Sequence, residues 1–175
     1  MSKRVIAIIS TGGTIEKTYD VLDGVLSNRV SVLDVMLASL ELRCLEIVRV
    51  PLMNKDSLEM TDRDHKLIAM TAAAMAEAHD GVIVVHGTDR LAESGERTFA
   101  AFPELSVPVV FTGAMRPYEL RNTDAIQVLT ESLLAVQILP AGVYAVLQNQ
   151  VLQFPGVIKD RSQGVFFHES DRTRA

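Results

Sequence analysis

Four short runs of uninterrupted apolar, β-rich residues constrain this chain most: Arg4–Ser10 (RVIAIIS), Gly81–His86 (GVIVVH), Val107–Thr112 (VPVVFT) and Gly142–Leu147 (GVYAVL). A strand with one wet face alternates polar and apolar residues. These runs do not, so both of their faces must be covered. Leu45–Pro51 reads as a further strand. Between the runs lie segments of helical spacing: one from about Ser31 (SVLDVMLASL), one from a capping box at Thr61–Asp64 through Ala78, one over Ala92–Phe102, and one over Asn122–Gln137 capped by Asn122 or Thr123. In the second, Leu67, Ile68, Thr71, Ala74, Met75 and Ala78 recur at helical spacing and are expected to face the sheet. Repeated strand–helix units of this kind predict an α/β fold, a three-layer sandwich around a mainly parallel sheet. Glu16–Asn28 reads as a long polar loop, and Gln148–Ala175 as loop with one short strand at Gly164–Phe167.

At 175 residues the chain is expected to form one domain spanning 1–175. A net charge of −5 with no basic stripe argues against a nucleic-acid partner. No segment approaches transmembrane length, and the apolar run in MSKRVIAIIS is too short for a signal peptide, so a cytoplasmic protein without a membrane partner is expected. Cys44 is the single cysteine, which excludes an intrachain disulfide and a cysteine-built zinc site. The histidines (His65, His79, His86, His168) show no ligand spacing, so no metal is expected. Gly12-Gly13 fits neither phosphate-binding glycine signature, and no cofactor is expected.

A parallel sheet gathers the C-terminal ends of its strands at one edge, where ligands bind. Three such ends are polar here: Thr11-Gly12-Gly13-Thr14, His86-Gly87-Thr88-Asp89, and Thr112-Gly113-Ala114-Met115-Arg116-Pro117. Together they offer hydroxyls, a carboxylate, a guanidinium and accessible backbone amides, a set suited to acyl transfer. Each has a plainer alternative. Thr11 and Thr14 can simply stabilise a turn, and Thr88-Asp89 can cap the following helix. His86 closes an apolar strand and reads better as a hydrogen-bonded core residue than as a base. Arg116 suits a substrate carboxylate and a structural ion pair equally.

Taken together and in order, STGGTI (Ser10–Ile15), HGTDRLAESG (His86–Gly95) and TGAMRP (Thr112–Pro117) resemble the signatures of the bacterial-type L-asparaginase family. The resemblance runs to about Lys159 and covers that family's N-terminal domain. The usual C-terminal domain is expected to be absent, as in the short-chain, single-domain L-asparaginases. The resemblance implies an L-asparagine amidohydrolase that releases aspartate and ammonia through a threonine nucleophile and an acyl-enzyme. The nucleophile falls on Thr11, the second triad on Thr88, Lys159 and Asp89, and the loop tyrosine on Tyr19. Ser57, Thr88, Asp89 and Ala114 fall on substrate-binding positions. There are departures too. Leu58 stands where many members have glutamine, Arg90 and Ser94 replace threonines, and Asn122–Ala125 lacks the glycine of the common SADG segment. The C-terminal domain normally lends a carboxylate, for which Glu16, Glu169 and Asp171 are candidates. A lone domain of this kind is expected to self-associate into a homo-oligomer over its apolar surface. An amidase for glutamine or a substituted asparagine is the alternative within the enzyme class. A non-catalytic amino-acid-binding module is the alternative outside it.

Overall fold

The structure, a computed structural model, describes residues 3–174; Met1, Ser2 and Ala175, at the ends of the expected 1–175 domain, lie outside the described residues. In chain order the elements are β1 (Arg4–Gly12), β2 (Thr18–Asp20), β3 (Val25–Ser27), α1 (Leu33–Ala38), β4 (Leu45–Lys55), α2 (Asp62–Ala76), β5 (Gly81–Val85), α3 (Leu91–Ala101), β6 (Pro108–Thr112), α4 (Ala125–Ile138), β7 (Gly142–Leu147), β8 (Gln150–Gln153), β9 (Val157–Asp160) and β10 (Val165–His168). Tight 3₁₀ turns cover Thr14–Glu16, Ser57–Glu59 and Glu169–Arg174. The central sheet has the order β4-β1-β5-β6-β7-β8. It is parallel from β4 to β7, and β8 returns antiparallel against β7. The four apolar runs fill its middle, and Ile6–Ile9, Val82–Val85 and Val109–Phe111 are fully buried. Among the described residues no helix is long and apolar enough to cross a membrane.

Side-chain alternation assigns the helices to faces. A methyl group placed on Gly81 of β5 would meet Val136 of α4 at 2.6 Å. Phe111 of β6, which is paired with Val84, points the other way and meets Phe154 with ring centroids 6.2 Å apart. Phe154 in turn fills the space over Gly95 of α3, where a methyl group would lie 2.0 Å from the ring. Thus α4 covers one face, while α3, packed on α2, covers the other. The crossovers β5–α3–β6 and β6–α4–β7 step in the same direction along the sheet but on opposite faces. They therefore have opposite hands, and one departs from the right-handed rule. The chains leaving β5 and β6 diverge at their C-terminal ends, the arrangement that opens a crevice in an α/β sheet.

Several details differ from the sequence expectations. The capping box of α2 forms as expected, with Thr61 N–H donating to Asp64 at 2.8 Å, but the buried face is His65, Ile68, Ala69, Ala72 and Ala76. Leu67 is exposed, because the helix is turned to bring His65 inside against Ser94 of α3. The stretch Glu16–Asn28 is not an open loop: it holds part of a 3₁₀ turn and the β2–β3 hairpin, in which Tyr19 pairs with Leu26. The tail contains three strands rather than one, β8 on the main sheet and the β9–β10 hairpin beyond it. Helix α4 begins at Ala125, so Asn122 and Thr123 are not its N-cap. The N-cap residue, Asp124, does not cap through its side chain, because its carboxylate instead accepts Met115 N–H at 2.8 Å and Arg116 N–H at 2.9 Å.

Candidate active site

Two glycine turns meet at the C-terminal edge. Gly12 and Gly13 have φ of 95° and 83°, a left-handed region that side chains resist. A methyl group on Gly13 would lie 2.4 Å from the Cα of Gly87, and one on Gly87 would lie 2.6 Å from Ser57 Oγ. The turns carrying Thr11 and Thr88 are therefore packed backbone to backbone, and the Ser57 side chain is packed against the second of them. One on Gly113 would lie 2.1 Å from the carbonyl oxygen of His86, which brings the segment carrying Ala114 against the same place. Thr11, Ser57, Thr88 and Ala114 are all buried.

Lys159, on β9, reaches into this cluster from a distant part of the chain. Its Nζ lies 2.9 Å from Thr88 Oγ1 and 2.7 Å from Asp89 Oδ1, with the side chain only 8% exposed. The Phe166 ring lies beneath the ammonium at 5.9 Å from its centroid, a cation–π contact. The hairpin is held in register from outside. Glu96 of α3 accepts Gly156 N–H at 2.6 Å and Val157 N–H at 3.2 Å, and Gln148 and Gln150 donate to Gly164 and Phe166 carbonyls. Helix capping does not occupy Thr88-Asp89: the N-cap of α3 is Arg90, and no side chain caps it.

Thr11 stands somewhat apart. Its hydroxyl donates to the Val85 carbonyl at 2.9 Å and makes no hydrogen bond with Tyr19, Thr88 or Lys159. Tyr19 is on the β2–β3 hairpin, 57% exposed, with its hydroxyl near Gly24 at the hairpin turn. The hairpin is tied to the rest of the edge by Tyr19 N–H donating to Glu119 at 2.6 Å, Lys17–Asp56 at 2.7 Å, and Asn28 donating to the Gly13 carbonyl at 2.8 Å. Of the three candidate replacement carboxylates, Glu16 is buried and turns to Ser31, and burial raises its pKa above the ordinary carboxylate value. Glu169 and Asp171 are exposed. Leu58 is also exposed. Arg116 pairs loosely with Asp124, at 4.0 Å.

Sequence reasoning missed a buried polar chain behind the site. His86 Nδ1 donates to the Gly87 carbonyl at 2.8 Å, so its Nε2 is the acceptor and takes the Ser94 hydroxyl proton at 2.8 Å. Ser94 Oγ then accepts from His65 Nδ1 at 2.6 Å. His86 is thus the hydrogen-bonded core residue expected of it. Burial pushes its pKa down to about 4, and burial also lowers that of His65, which faces Glu93, Arg90, Arg97 and Asp62. The unfolded chain takes up these protons below the ordinary value of 6.5, while folded His86 resists until about 4. Native stability should therefore fall as pH drops through that window, by about 3 kcal/mol for His86 alone. Urea midpoints at pH 7 and pH 4 should show this fall, and a His86→Asn variant should lose most of it. An equal fall in the variant would refute the assignment. Glu16, raised by burial, works in the opposite direction above 4.5. No group of three or more His, Cys, Asp or Glu residues that could hold a metal ion occurs among the described residues.

The family model described as the asparaginase N-terminal domain matches residues 5–172. The chain belongs to that family. The solved thermostable L-asparaginase of Thermococcus kodakarensis superposes with a TM-score of 0.80 at 25% identity, over 94% of this chain and 51% of that one. A probable cytoplasmic L-asparaginase of Campylobacter jejuni gives 0.74 at 29% identity, over 90% of this chain and 50% of that one. A glutamyl-tRNA(Gln) amidotransferase subunit of Thermoplasma acidophilum is 32% identical over 123 residues, 70% of this chain and 30% of that protein. The chain thus spans about half the length of these solved relatives and about a third of the curated ones. The central α/β fold with its mostly parallel sheet is that of the asparaginase N-terminal domain.

Proposed function

We propose that this asparaginase-family domain hydrolyses the side-chain amide of L-asparagine, in a cytoplasmic setting and without a metal or organic cofactor. The observation that carries this reading is the Thr88–Lys159–Asp89 constellation, with Nζ within hydrogen-bond reach of both partners at a buried strand edge. A binding module has no use for an amine buried against a threonine hydroxyl, whereas proton transfer does.

In the proposed course Thr11 Oγ attacks the amide carbon and its proton leaves with the nitrogen as ammonia, which forms an ester on Thr11. Water, losing its proton to the Thr88–Lys159 pair, then cleaves the ester to aspartate and restores the hydroxyl. Lys159 Nζ, within hydrogen-bond reach of both, relays the proton taken through Thr88, and Asp89 pairs with it across 2.7 Å. Ser57 and the nearby backbone N–H groups hold the α-carboxylate, while Asp89 and Ala114 line the rest of the amino-acid site. Tyr19 joins the nucleophile only if the hairpin closes over it. Exposed Leu134 and Ile138 on α4 suit a homo-oligomeric contact.

The relatedness to an amidotransferase subunit favours one second reading, in which the ammonia is handed on within a complex rather than released. Ammonia release from asparagine and from glutamine, measured on the isolated chain, tests the proposal. Asparagine should be turned over and glutamine only weakly. A chain that binds asparagine yet releases no ammonia is not an asparaginase, and equal turnover of both amides would remove the substrate assignment.

A further inference from the structure

Arg90 lies immediately after Thr88-Asp89 in the sequence, yet its guanidinium is not spent on that turn. Nη1 donates to the carbonyl of Met60, while Nε and Nη2 grip the Glu93 carboxylate as a two-pronged fork at 2.7 and 3.0 Å. Glu93 is itself fixed by Arg97, at 2.8 Å, which also reaches Asp62 of α2 at 2.7 Å. Met60 closes the single 3₁₀ turn over Ser57–Glu59, its N–H donating back to the Ser57 carbonyl at 3.3 Å. A lone 3₁₀ turn does not support itself; its position is decided by what holds its ends. One end is held by Asp56, which accepts Leu58 N–H and pairs with Lys17. The other end is held by Arg90.

We infer that Arg90 is a positioning residue that sets the distance between Ser57 and Thr88-Asp89, and so the fit of the amino-acid end of the substrate. The inference rests on the proposed function, in which those residues grip one amino acid. The chemistry requires an arginine. Its planar fork can satisfy Glu93 with two nitrogens and still present a third to the Met60 carbonyl, whereas lysine offers a single point charge. A side chain as short as threonine cannot span the gap at all. Arg90 touches neither the reacting amide nor the nucleophile, so its loss should weaken binding without slowing the chemical steps.

The test is Arg90→Thr and Arg90→Lys, read in three ways: KM and kcat for asparagine, the Kd for L-aspartate by calorimetry, and hydrogen exchange at the Glu59 and Met60 amides. Arg90→Thr should raise KM and the aspartate Kd about tenfold, as expected for losing a charge-assisted bond, with kcat within about a factor of three. The two amides should exchange faster while the thermal midpoint stays close to that of the wild type. Arg90→Lys should recover only part of the binding. Unchanged exchange at Glu59 and Met60, or unchanged KM, would overturn the inference, as would equal losses in kcat and in binding. A wild-type chain that neither binds aspartate nor releases ammonia would instead overturn the proposed function, and this inference with it. A wild type that turns asparagine over, beside an Arg90→Thr variant of normal KM, would remove only the role of Arg90.

Discussion

Thr11→Ala should lower ammonia release from asparagine by at least about a thousandfold while leaving the fold intact. The hydroxyl is buried at the end of β1 and, among the described residues, its one hydrogen bond, at 2.9 Å, goes to the Val85 carbonyl. Losing that bond should destabilise the protein by about 1 kcal/mol, so a folded but silent variant is the expected outcome. Thr11→Ser, which keeps the hydroxyl and drops only a methyl group, should retain measurable turnover. The pair separates a nucleophile from a turn former, because a structural threonine would show its effect in the urea midpoint rather than in turnover. Full activity in Thr11→Ala would transfer the nucleophilic role to Thr88.

Lys159 is the second decisive position. Lys159→Met keeps most of the apolar stem but removes the nitrogen that lies over Phe166 and between Thr88 and Asp89. Turnover should fall by about a thousandfold, the scale of a general-base contribution. Stability should change little, since Asp89 remains 39% exposed and water can take the place of the lost partner. Lys159→Arg sharpens the test. An arginine preserves the charge and the pairing with Asp89 but cannot give up its proton, so it should be as inactive as the methionine. Substantial turnover in Lys159→Arg would reduce Lys159 to an electrostatic support and leave the Thr88 proton without its acceptor.

The centre of the fold was legible because it is dry on both sides. Runs such as Gly81–Val85 and Val109–Phe111 contain nothing polar, and only a covered parallel sheet accommodates them. The margins were less readable. Gln150–Gln153 presents one buried residue, Leu152, among partly wet ones, and Thr18–Asp20 is too short to show any period. The buried face of α2 departs from its apolar spacing, which weighs Leu67 above His65, because the hydrogen bond to Ser94 draws the histidine inward. At the site, the turns that carry Thr11 and Thr88 were visible as polar strand ends. The convergence of Lys159 on Thr88 was suggested by resemblance alone, since nothing in local spacing links residues so far apart. Arg90, Glu93 and Met60 were invisible for the same reason: their connection runs between two elements, and the sequence records only a charged residue after Asp89.

Thr11 comes from the first strand of the sheet and Lys159 from the β9–β10 hairpin, which follows the sheet in the chain and is held against α3 by Glu96. On the proposed reading, a chain still being synthesised can complete β1 to β7, the whole parallel part of the sheet, and hold Thr11 before the amine that activates the hydrolytic water has emerged. Catalytic competence then arrives only once the hairpin has emerged and docked. Aspartate release from a series of stalled chains of increasing length would report when that happens, so the reaction product itself can time a late step of folding.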